Sequence, residues 1–213
     1  MNTPNKITLS RLLLIPLIVF FYMADFVPYG KLVASILFIV ACLTDFLDGY
    51  IARKTNQVTN LGKFFDTIAD KVLITTGLLL IVASPVLGGL PIVYPSWLGL
   101  VCCIVILARE FIVSALRQVA ASRGLVLAAD MGGKIKATLQ YVAVSLYMVY
   151  AFVVPYIPQD GLAFGIINFA LMIILAGATF MTIYSGASYL IRNRHVFKNE
   201  KIPANFLDEE EKK

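Results

Sequence analysis

Charged side chains are scarce in this sequence: Asp, Glu, Lys and Arg make up 15% of its 213 residues, against about 25% in a typical soluble domain. With 59% of the residues hydrophobic, that scarcity excludes an ordinary soluble globular domain. Cysteine is also rare. Cys42, Cys102 and Cys103 lie in apolar segments without C-x-x-C spacing, and Cys102 and Cys103, as neighbours on a helix, point about 100° apart. All three read as small packing residues, not as a disulfide or a metal site. The one histidine, His195, stands alone in a polar tail and reads as a solvated side chain. The first apolar run lacks a small-x-small cleavage pattern, having Tyr22-Met23-Ala24 instead, so it reads as a retained span and not as a secretory signal. No internal repeat stands out.

What the chain does have is long apolar runs. A spanning helix needs about 20 residues, so this length accommodates about six with short loops. The expectation is an all-α integral membrane protein, with residues 1–200 forming a single six-helix domain and residues 201–213 a polar, solvated tail. Thr3-Pro4 reads as an N-cap followed by proline at the first helical position, opening a short interfacial helix over about 4–11. The spans are then expected over about 12–26, with a kink at Pro16, 31–53, 62–84, 96–121, 134–154 and 162–191.

Lys and Arg number 18 against 13 Asp and Glu. Membrane topology accounts for the excess better than a nucleic-acid partner does. When Lys6, Arg11, Arg53, Lys54, Lys63, Arg123, Lys134, Lys136, Arg192 and Arg194 are placed on one side, Lys31 is nearly the only base opposite. By the positive-inside rule this predicts a multi-pass protein of the cell membrane with both termini in the cytoplasm.

On that same side lie four carboxylates, between two apolar segments. Asp45 and Asp48 are spaced i, i+3 and Asp66 and Asp70 i, i+4, so each pair shares one helix face with Cβ atoms about 5 to 6 Å apart. A turn over 56–60 would fold the two helices into a hairpin and bring all four acids to one point. Two like charges 4 Å apart repel by about 4 kcal/mol at an effective dielectric near 20, so the cluster requires a cation. Ligands that are all oxygen select hard ions such as Mg²⁺ or Mn²⁺, and four acids suit two ions able to clamp a phosphate. Gly49 and Gly62 would allow a bulky ligand close to the backbone. Arg53 offers a planar donor fork for phosphate.

A second set of charges follows. Arg109 and Arg117, eight residues apart, share a helix face about 12 Å apart along the axis. At that depth they need a partner, either Glu110 or an anionic headgroup substrate that arginine can hold bidentately. Lys134 and Lys136 open the fifth span, where the helix dipole already favours anions. They read as a phosphate site or as topological anchors. Lys71, beside Asp70, either answers local negative charge or snorkels to the headgroups.

Spelled as D-x2-D-G-x2-A-R-x8-G-x3-D-x3-D, Asp45, Asp48, Gly49, Ala52, Arg53, Gly62, Asp66 and Asp70 resemble the signature of the CDP-alcohol phosphotransferases, membrane enzymes of phospholipid synthesis. Two further stretches resemble the phosphatidylglycerophosphate synthase branch. One is Asn2, Pro4, Asn5, Thr8 and Arg11, where Ile7 replaces the usual leucine. The other is Ala108-Arg109-Glu110 with Ser114-Ala115-Leu116-Arg117, Gly133-Lys134-Ile135-Lys136 and Gln140, where Ala137 departs from the usual G-K-x-K-T.

The resemblance implies the CDP-alcohol phosphotransferase fold and transfer of a phosphatidyl group from CDP-diacylglycerol, with release of CMP. It implies that Asp45, Asp48, Asp66 and Asp70 hold two Mg²⁺ or Mn²⁺ ions and that Asp70 is the general base. Asn5, Thr8, Gly49, Ala52, Arg53 and Gly62 would shape the CDP site. Arg109, Arg117, Lys134 and Lys136 would hold the phosphate of sn-glycerol 3-phosphate as acceptor, and the enzyme would be a homodimer. Serine, inositol phosphate or an alcohol as acceptor remains the nearest alternative. A cation transporter would place acids near the bilayer midplane in paired halves, and no second half echoes these.

Overall fold

The structure, a computed structural model, describes residues 3–55, 60–83, 96–122, 131–158 and 160–194. Of residues 3–7, 46–55, 60, 61, 63, 64, 96 and 131 it describes the backbone only. Among the described residues the chain is helical nearly throughout, with no strand. The helices are α1 (Thr3–Met23), α2 (Gly30–Thr55), α3 (Asn60–Ala83), α4 (Ser96–Ser122), α5 (Met131–Val153) and α6 (Leu162–Arg192), with a 3-10 turn at Val154–Tyr156 after α5. An apolar chain in lipid must satisfy its backbone groups internally, and a helix does so within one segment. Among the described residues three stretches, Trp97–Ser122, Gly132–Tyr156 and Leu162–Arg192, are long and apolar enough to cross a membrane, and Thr8–Met23 is a shorter apolar helix. This is an all-helical membrane protein.

The amino-terminal segment differs from expectation. Residues 4–11 are not a separate interfacial helix: α1 runs without interruption from Thr3 to Met23, with Pro16 inside it. The physical reason lies in its inward face. Thr8, Arg11, Ile15, Ile18 and Tyr22 are all buried and recur every three to four residues, so the polar start and the apolar remainder form one stripe. That stripe packs α1 against α2 and α3.

α5 packs against α2, α3 and α6, while α4 packs against α3 and α6. The core is built from fully enclosed side chains such as Phe38, Leu73, Ile106, Tyr147 and Met148. At Gly77 on α3 three helices come close together. A Cβ there would stand 2.5 Å from Cγ1 of Val144 and 2.8 Å from Cε2 of Phe38, so the absence of a side chain lets α2, α3 and α5 close together.

The buried stripes turn polar toward one end of the bundle. On α2 the face formed by Ala34, Phe38 and Ala41 continues one turn later to Asp45. On α3 the face of Leu73 and Ala69 continues to Asp66 and Asp70.

Candidate active site

Four helices surround a cavity of about 330 Å³ at that polar end. α2 supplies Asp45, α3 supplies Asp66, Thr67, Asp70 and Lys71, α4 supplies Arg109, Glu110, Ser114 and Arg117, and α5 supplies Gly133, Lys134, Lys136 and Ala137. Three of the four expected acids and all four expected bases therefore face one space. Asp48 lies on α2, and its side chain is outside the described residues.

Arg11 of α1 completes the acidic wall from behind. Its Nη1 donates to Oδ1 of Asp45 at 2.5 Å and stands 3.6 Å from Oδ1 of Asp66, and its side chain has no exposed surface. A buried charge is tolerated when it is paired and hydrogen-bonded, and these carboxylates provide the pairing. The hydroxyl of Tyr141, on α5, donates to Oδ1 of Asp70. That bond fixes one carboxylate oxygen and orients the other.

The opposite wall is basic and cross-linked. Glu110 Oε1 forms ion pairs with Nζ of Lys136 and with Nη1 of Arg109, the latter at 3.5 Å. Arg109 also donates from Nη2 to Oγ of Ser185 at 3.1 Å, and Arg117 donates from Nε to Oη of Tyr189 at 3.1 Å. Lys136 is buried, at 5% exposure, whereas Lys134 is exposed. Thr138, one place beyond the usual threonine of the motif, turns its hydroxyl to the carbonyl of Lys134 at 3.2 Å. The bases, not that hydroxyl, face the cavity.

The electrostatics follow from these pairings. One guanidinium against three carboxylates leaves the acidic wall negative, and one carboxylate against four basic side chains leaves the other wall positive. The acidic wall offers only carboxylate oxygens, which fits a hard divalent cation such as Mg²⁺ or Mn²⁺. Among the described residues no three metal-ligating side chains are gathered tightly enough to share one ion, with Asp48 outside that set.

The residues expected at the nucleotide are less gathered. Thr8 is buried on α1, one turn before Arg11, and Gly62 lies in the first turn of α3. Neither is among the described residues that line the cavity. Asn5 lies on α1, and Gly49, Ala52 and Arg53 lie on α2; their side chains are outside the described residues. Sequence reasoning did not find the roles of Arg11, Tyr141, Ser185 and Tyr189. For Arg11 a signal existed, since it falls on the same 3.5-residue stripe as Ile15, Ile18 and Tyr22.

A helical membrane fold whose polar cavity sets carboxylates against arginines and lysines can hold a divalent cation beside a phosphate. The chain belongs to the CDP-alcohol phosphatidyltransferase family, whose match covers residues 1–184. It is 39% identical over 208 residues to a Bacillus subtilis protein named "CDP-diacylglycerol--glycerol-3-phosphate 3-phosphatidyltransferase", covering 92% of this chain and 97% of that one. A Rickettsia felis protein of the same name is 35% identical over 189 residues, covering 88% of this chain and 93% of its own. One from Salmonella choleraesuis is 36% identical over 146 residues, covering 68% and 75%.

Proposed function

We propose that the protein is a phosphatidylglycerophosphate synthase, transferring the phosphatidyl group of CDP-diacylglycerol to sn-glycerol 3-phosphate and releasing CMP. The observation that carries this is the divided cavity: Asp45, Asp66 and Asp70 face Arg109, Arg117, Lys134 and Lys136 across one space. A donor with a diphosphate and an acceptor with its own phosphate need two anion-holding regions side by side. Serine, choline or inositol would bring no phosphate to the basic wall.

Asp45, Asp48, Asp66 and Asp70 would hold two Mg²⁺ or Mn²⁺ ions. When bound, such ions offset negative charge on the donor diphosphate and on the departing CMP. The chain's own residues supply the rest. Arg109, Arg117, Lys134 and Lys136 bind the acceptor phosphate, arginine with a fork matched to two of its oxygens. Asn5, Thr8, Gly49, Ala52, Arg53 and Gly62 shape the CDP site. Asp70, held by Tyr141, takes the proton from the acceptor hydroxyl. The hydroxyl oxygen forms a bond to the lipid-side phosphorus while the bond from that phosphorus to CMP breaks, and the electron pair leaves with CMP.

In this reading six helices cross the cell membrane, the active site and both termini face the cytoplasm, and the acyl tails of the donor lie between helices open to the bilayer. The gathering of acids and bases at one end of the bundle supports that sidedness. The homodimer rests on the family resemblance alone. Purified protein in detergent, given CDP-diacylglycerol and each labelled acceptor in turn, tests the proposal. CMP release with glycerol 3-phosphate alone is expected, and equal release with serine or inositol phosphate would overturn the acceptor assignment.

A further inference from the structure

The two arginines of the basic wall are both held by a helix that contributes nothing to the cavity lining. α6 has 31 residues, roughly 46 Å at 1.5 Å per residue, and so outruns the ~30 Å hydrocarbon core. Its last turns carry Ser185, Gly186 and Tyr189, and the family match ends just before them, at residue 184.

Three separate contacts converge there. Ser185, at 1% exposure, accepts the hydrogen bond from Nη2 of Arg109 and donates its own hydroxyl to the carbonyl of Thr182 at 3.3 Å. Gly186 leaves room for the same arginine: a Cβ would stand 2.8 Å from Cγ and 3.4 Å from Nε of Arg109. Tyr189, at 3% exposure, accepts from Nε of Arg117, and the guanidinium carbon of that arginine lies 5.2 Å from the tyrosine ring centroid. The ring is itself fixed among Val113, Leu116 and Ala120 of α4. The hydrogen bond to Tyr189 uses Nε of Arg117 and not its two terminal nitrogens, so the outer edge of the fork can point into the cavity.

We propose that Ser185, Gly186 and Tyr189 are positioning residues for the acceptor, setting the side-chain directions of Arg109 and Arg117 so that both guanidinium groups face one phosphate. An arginine has four rotatable bonds, and holding it in one direction before binding removes an ordering cost that would otherwise weaken the complex. This inference rests on the reading of the basic wall as the acceptor-phosphate site.

The test separates the two. Steady-state kinetics on the full chain in detergent would compare Tyr189→Phe, Ser185→Ala, Ser185→Thr, Gly186→Ala and Arg117→Ala. Tyr189→Phe keeps the packed ring and removes only the hydroxyl. It is expected to raise KM for glycerol 3-phosphate by about five- to tenfold, with kcat and KM for CDP-diacylglycerol within about twofold of the parent. Ser185→Ala and Gly186→Ala should move the same parameter in the same direction, and Ser185→Thr, which restores a hydroxyl, should recover it. In the Arg117→Ala background, Tyr189→Phe should add nothing, because the contact it removes is already gone. Should Arg117→Ala raise KM while Tyr189→Phe and Ser185→Ala leave it unchanged, α6 does not position the acceptor site and the inference is overturned. If Arg117→Ala itself leaves KM unchanged, the acceptor-site reading fails and takes the inference with it.

Discussion

Nη1 of Arg11 lies 2.5 Å from Oδ1 of Asp45, and the side chain that makes this contact is wholly enclosed. The two residues are 34 positions apart, on α1 and α2, and the same guanidinium reaches toward Asp66 of α3. A single charge on the amino-terminal helix thus ties together the two helices that carry the acidic motif. It also explains how carboxylates can be gathered in a bundle before any divalent ion arrives: part of their mutual repulsion is already offset.

The first prediction concerns that offset. Arg11→Gln leaves Asp45 and Asp66 facing each other without their cation. Breaking a fully buried pair costs about 3 to 5 kcal/mol, and the partial exposure of Asp45 places this loss at the lower end. A chain of this size loses about 2 to 4 °C of melting temperature per kcal/mol. Unfolding should therefore occur at clearly lower temperature in EDTA, and added Mg²⁺ should raise it more in the variant than in the parent, because the ion replaces the missing charge. An equal Mg²⁺ shift in both proteins would show that Arg11 and the ion do not share the site.

The hydroxyl of Tyr141 and the carboxylate of Asp70 give a second. Asp70→Asn should abolish CMP release while the protein stays folded; normal turnover in that variant would remove Asp70 as the base. Tyr141→Phe leaves the Asp70 carboxylate, the proposed base, in place but unaimed. A hydrogen bond to a charged group is worth about 1.5 to 3 kcal/mol, so kcat should fall by about tenfold or more, with little change in either KM. A variant whose kcat matched the parent would dissociate Tyr141 from catalysis.

Much of this arrangement was legible in the chain. The i, i+3 and i, i+4 spacing of the acids and the eight-residue spacing of Arg109 and Arg117 are properties of a helix, and helices are what an apolar chain forms. Their shared face therefore followed from local geometry: Asp66 and Asp70 line one cavity, as do Arg109 and Arg117, while Asp48, the companion of Asp45, has its side chain outside the described residues. What local geometry does not encode is the partner across the bundle. Arg11 looked like an interfacial anchor because its acids lie 34 and 55 residues away. Tyr141 is 71 residues from Asp70, and Ser185 is 76 residues from Arg109. Glu110 was one of two candidate partners for the arginines, and the structure pairs it with Arg109 and, in addition, with Lys136, which periodicity alone did not suggest.

Gly77 yields a prediction about stability apart from chemistry. Gly77→Ala forces a methyl group against Val144 on one side and Phe38 on the other, and neither is the loose end of a flexible chain. Overpacking of this kind costs about 1 to 3 kcal/mol. The residue does not line the cavity, so the folded variant should keep its KM values while its melting temperature drops. A stabilised variant would mean that α2, α3 and α5 are less closely packed at this level than the contacts indicate.

Glu110 provides the last. It is the carboxylate that neutralises Lys136, a base with almost no access to water, and it stands among the side chains proposed to receive an anion. Glu110→Gln keeps the shape and loses the charge, leaving Lys136 and Arg109 crowded with no counter-ion between them. The melting temperature without ligand should fall. Glycerol 3-phosphate, or inorganic phosphate as a simpler probe, should then restore more stability to the variant than it adds to the parent, since an anion that binds only the folded state stabilises in proportion to its affinity. Thermal unfolding with and without each anion reads this directly. If phosphate protects parent and variant equally, Lys136 serves the bundle and not the acceptor, and the anion-holding wall reduces to Arg109, Arg117 and Lys134.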